Sequence, residues 1–109
     1  MVDTMIYVKL HESEDGSILA MCDESLIGRT LSEGELFIDI NSYSDFYVGE
    51  LVDTKNYELH GLEGIVSFNI IGTESVEFCI RNSIVEIENI KTVEGVPVAH
   101  AYKVDKPGN

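Results

Sequence analysis

The sequence of 109 residues has no tryptophan, two cysteines, two prolines, and seven Lys and Arg against twenty Asp and Glu. Each shortage excludes something. Cys22 and Cys79 permit one disulfide by arithmetic but no disulfide framework, so the chain reads as a thiol-reduced cytoplasmic protein. No stretch approaches the roughly 18 uninterrupted apolar residues of a membrane-spanning helix, and no basic leader precedes an apolar run. The cations Lys9, Arg29, Lys55, Arg81, Lys91, Lys103 and Lys106 are scattered, with no two adjacent. Nucleic-acid binding draws on cations that displace condensed counterions. A net charge of -13 without a basic cluster therefore argues against direct duplex binding and against anionic membranes. A basic protein is the compatible partner.

What is present is enough for one folded domain. The composition, 44% hydrophobic and 25% charged, is that of a globular chain rather than a disordered one. The pattern places a flexible start at 1–4, a single domain at 5–104 and a polar, flexible tail at 105–109. Strands are expected at 5–10 and 17–22, joined through Asp15-Gly16 as a hairpin. Asp23 reads as the cap of a helix over 24–33, with Leu26, Ile27 and Leu31 on its inner face and Gly34 as its stop. A strand over 35–40, an aromatic loop over 41–51, a helix over 52–62 and a buried strand over 65–71 follow. The clearest helix spans 73–82: Thr73 caps it, and Val76, Cys79 and Ile80 form its buried stripe. Segments 85–93 and 96–104 flank Glu94-Gly95 as a second hairpin. The expected fold is α+β: a single small mixed sheet with N- and C-terminal hairpins and about three short helices packed on it.

Stretches along nearly the whole of this pattern look familiar: YVKLHE at 7–12, AMCDESLIGR at 20–29, YVGE at 47–50, NIIGTESV at 69–76 and GVP at 95–97. In order and spacing they resemble the archaeal family called domain of unknown function 424. The resemblance implies an archaeal cytoplasmic protein of about this length, and it brings no catalytic residues with it.

The residues themselves offer a few candidates. Cys22 stands just before an expected helix N-terminus, which lowers a thiol pKa, but Asp23 and Glu24 oppose that effect. With His11 it would make a thiol-dependent or redox centre, whereas a strand-end cysteine facing the core is the plainer reading. His11, His60 and His100 have no partner at metal-ligand spacing, and no metal or cofactor is expected. GTES at 72–75 joins a strand to a helix, a place where anions bind, but it lacks a phosphate-loop lysine and Glu74 would repel phosphate. Tyr43, Phe46, Tyr47, Gly49 and Glu50 form the most suggestive segment. Aromatic side chains outside regular elements either cover the core or anchor a partner, and Gly49 admits a close backbone approach or positive φ. The leading expectation is a non-enzymatic binding or adaptor domain that contacts a basic protein. The alternatives are a small enzyme centred on Cys22 and an acidic auxiliary of translation or RNA processing.

Overall fold

A computed structural model describes residues 4–59 and 64–102. The expected flexible start (apart from Thr4), His60 with the end of the 52–62 helix, and the tail at 105–109 lie outside the described residues. Among the described residues eight strands form: β1 (Met5–His11), β2 (Ser17–Asp23), β3 (Thr30–Glu33), β4 (Leu36–Asp39), β5 (Glu50–Asp53), β6 (Ile65–Ile71), β7 (Ile90–Val93) and β8 (Val96–Tyr102). Six of them make one sheet in the order β5-β1-β2-β6-β8-β7, and β3 and β4 form a separate ribbon. All pairings are antiparallel except β2 with β6. Both expected terminal hairpins form, β1 with β2 and β7 with β8.

Alternation in the strands gives the sheet two distinct faces. Ile6 and Val8, Leu19 and Met21, Phe68 and Ile70, and Ala99 and Ala101 point to one side. There they meet α2 (Thr73–Arg81), whose buried residues are Ser75, Val76, Phe78 and Cys79. Complete burial of a large aliphatic side chain such as Met21 or Ile70 contributes roughly 1.5–3 kcal/mol. The opposite face carries Cys22, Ile71 and Val98, covered by Leu26, Leu31 and Ile40. The β3–β4 ribbon and the single-turn helix α1 (Ser44–Tyr47) supply that cover.

The expectation of three helices on a sheet is therefore corrected. Among the described residues 46% are strand and 20% helix of any kind, and only α2, with 9 residues, is a helix of substantial length. The helix expected over 24–33 stops after the 3-10 turn Glu24–Leu26. Gly28 then takes φ 89, a left-handed conformation that ends the helical path. Leu31 is buried as a strand residue opposite Ile38. The helix expected over 52–62 gives way to β5, because Val52 pairs beside fully buried Ile6 at the sheet edge. Asp53 caps a turn instead, accepting from Lys55 N at 3.0 Å. The segment 41–51, read as loop, contains α1 and the first half of β5.

Candidate functional site

The β3–β4 ribbon lies across the face of the sheet opposite α2 and leaves a groove beneath it. Two hydrogen bonds tie its tip to the β7–β8 turn. Glu94 N donates to Glu33 Oε1 at 2.8 Å, and Ser32 N donates to Glu94 Oε2 at 2.6 Å. Leu31 and Ile40 anchor its inner side in the core at 0% exposure. Leu36 and Phe37, consecutive and therefore on opposite faces of the ribbon, both remain exposed.

The groove has two lobes that share Ile38. The first holds about 340 Å³ and is lined by Phe37, Ile38, Asp39, Tyr43, Phe46, Tyr47 and Asn69. The second, about 220 Å³, is lined by Leu36, Ile38, Asn89, Lys91, Val93, Val98 and His100. Asn69 and His100 are cross-strand neighbours on β6 and β8, so the floor runs from one lobe to the other. Among the described residues, Asp39 is the only formally charged one lining the first lobe. Hydrogen bonds from Ser42 and, less strongly, Thr30 hold its carboxyl below the usual value of 3.8, so it is anionic at neutral pH. Tyr47 is half-buried, and desolvation together with the nearby Cys22 pushes its hydroxyl up to about 12, which keeps it a neutral phenol.

Of the aromatic residues singled out from sequence, three line this lobe. Tyr43 is 65% exposed, while Phe46 and Tyr47 are half-buried. They are held against β1 through α1. His11 stacks on Phe46 with ring centroids 4.2 Å apart and donates from Nε2 to the Phe46 carbonyl at 2.7 Å. Lys9 Nζ donates to the Asp45 carbonyl. Both bonds satisfy carbonyls left without an intrahelical partner at the end of α1. Gly49 acts through close approach, not through positive φ: a Cβ there would lie 2.5 Å from the Val8 carbonyl oxygen. Gly49→Ala is expected to destabilise the fold by about 1–3 kcal/mol, measured by urea unfolding; an unchanged midpoint would show that α1 is not pinned there. Glu50, the first residue of β5, pairs with Val8 of β1 and does not line the groove.

Phe37, Ile38, Asp39 and Asn69 escaped the sequence reading. One signal was available: Leu36, Phe37 and Ile38 are consecutive, and a strand of one ribbon cannot bury all three.

The Cys22, His11 and Asp23 candidates are not brought together. Cys22 pairs with Tyr7 and His11 with Ile18, four positions further along β1, or about 13 Å. Cys22 is fully buried, and desolvation, reinforced by Asp23, pushes its thiol up to about 12. Cys79 is likewise buried, with its thiol raised to about 12 by desolvation. Asp23 turns the other way, toward α2. Its Oδ2 accepts from Glu74 N at 3.1 Å, and its Oδ1 accepts from Ser75 N and Ser75 Oγ, each at 2.8 Å. The anion position at GTES is thus filled by the protein's own carboxylate.

The crystal structure of an uncharacterized conserved protein from Methanopyrus kandleri has this fold, with a TM-score of 0.76 over 96% of each chain at 20% sequence identity. No curated protein matches the chain. The family model described as "Protein of unknown function (DUF424)" matches residues 11–104, and the chain belongs to that family.

Proposed function

We propose that this chain is a non-enzymatic binding module whose aromatic groove seats a segment of a basic protein. The observation that carries this reading is the groove itself: a concave apolar surface flanked by Phe37 and Tyr43, each 65% exposed, on a chain of net charge -13. Large exposed rings beside a concavity are the usual anchors of interfaces. Exposed carboxylates of Glu33, Glu35, Asp45 and Glu94 stand on the ribbon, on α1 and on the β7–β8 turn. Such a field steers cationic partners and is screened by salt. The buried thiols offer no accessible nucleophile, which favours binding over thiol chemistry.

Retention on immobilised protein tests the proposal. From archaeal lysate at low salt, the native chain should hold a basic protein and release it as salt is raised. The Phe37→Ala/Tyr43→Ala double variant should hold at least about tenfold less, the loss of two aromatic anchors. Equal retention by both, or retention indifferent to salt, would refute the groove as the contact surface.

A further inference from the structure

We propose that the first lobe of the groove is a cage for one organic cation, the methylated ammonium group of a lysine side chain on the basic partner; this rests on the binding role proposed above. Ring geometry is the first support. Phe46 and Tyr47 have centroids 5.0 Å apart and planes at 82°, an edge-to-face pair that fixes both rings at the lining of the lobe. The stacked His11 ring, nearly parallel at 11°, covers one face of Phe46 from β1 and fixes its orientation. Tyr43 and Phe37 line the same lobe from the exposed side. Aromatic faces carry negative potential and attract cations, most strongly where the cation sheds water.

Charge supplies the second support. Among the described residues, Asp39 is the only ionised group lining this lobe, whereas the cationic Lys91 lies in the second lobe with His100. The two lobes therefore differ in sign, and the aromatic one is the anionic one. Its volume of about 340 Å³ lies at the low end of small-ligand sites, wide enough for a side chain.

The hydrogen-bonding capacity decides which cation fits. Asp39 Oδ1 already accepts from Ser42 N at 3.0 Å and Thr30 Oγ1 at 3.3 Å. A guanidinium seeks a bidentate carboxylate, and a bare ammonium brings three strongly hydrated donors. One partly engaged carboxylate and the Asn69 amide satisfy neither well. Methylation keeps the charge, removes donors and adds apolar surface that matches the rings.

Backbone-amide NMR titration with capped tripeptides, alanine on each side of a central residue, tests the cage. The central residues are trimethyl-lysine, its uncharged tert-butyl analogue, lysine and arginine. The trimethyl-lysine peptide should shift amides across 37–47 and at Asn69 and bind about tenfold tighter than the tert-butyl analogue, the size of a desolvated cation–π contribution. Phe37→Ala and Tyr43→Ala should each weaken it about five- to tenfold. Both side chains are largely solvent-exposed, so the unfolding midpoint should not move. Equal binding of the tert-butyl analogue, tighter binding of lysine or arginine, or no shift at tens of millimolar peptide would overturn the cage. The first of these leaves the groove as a contact surface intact. A seated peptide combined with no salt-sensitive protein retained from lysate would instead refute the adaptor reading while the cage stands.

Discussion

Replacing Gly72 by alanine is expected to destabilise the protein by about 3–5 kcal/mol. Gly72 has φ 112 and ψ 154, a region that glycine alone occupies readily. A Cβ there would also lie 2.2 Å from the Asp23 carboxylate carbon. The backbone strain amounts to about 1–3 kcal/mol, and the rest comes from displacing Asp23 from the start of α2. Asp23 is 8% exposed, and its carboxylate accepts three hydrogen bonds at the helix N-terminus. Bonds to a charged acceptor and the favourable dipole are worth more than neutral ones. Asp23→Ala should accordingly lose about 2–4 kcal/mol. The two substitutions should be strongly non-additive, because in the Asp23→Ala background alanine at 72 no longer meets a carboxylate. Urea unfolding of the native chain, both single variants and the double variant measures this. Additive losses would show that Gly72 and Asp23 act independently.

The second large effect concerns the thiols. Native Cys22 and Cys79 are expected to react with iodoacetamide at least about a thousandfold more slowly than the same thiols in the unfolded chain. Raising a thiol from its ordinary value of 9.0 to about 12 lowers the thiolate fraction at neutral pH by about three powers of ten. Zero exposure of both residues further confines reaction to opened molecules. Labelling in native buffer and in urea, read by mass spectrometry, gives the ratio. Fast native labelling of Cys22 would restore the thiol-enzyme reading. A uniformly slow reaction removes it, since a nucleophile must be reached by its substrate.

Some of this architecture could be read before folding. The apolar runs at 5–10 and 17–22, the turn glycines and the 3.6-period stripe Val76, Cys79, Ile80 are local signals. They led to both terminal hairpins, to β6 and to α2. The helices over 24–33 and 52–62 were misread, because short apolar runs do not distinguish strand from helix until a neighbouring strand is in place. Asp23 illustrates the difference. Its type announces a helix cap and GTES announces a helix start, yet local reading assigns Asp23 to the segment that directly follows it, 24–33. The actual partner lies 52 positions away at Ser75.

The site divides along the same line. From the sequence alone came the excess of carboxylates, the scarcity and scatter of cations, and an unusual cluster of aromatic residues at 43–47. Composition and local spacing suffice for those properties. Tertiary structure decided that Tyr43, Phe46 and Tyr47 meet Phe37, Asp39 and Asn69, and that Cys22 is sealed while Asp23 faces α2. Those outcomes depend on strand register and on where a two-stranded ribbon lies on a sheet. They arise from burial and hydrogen bonding between segments far apart in the chain, which no local period encodes.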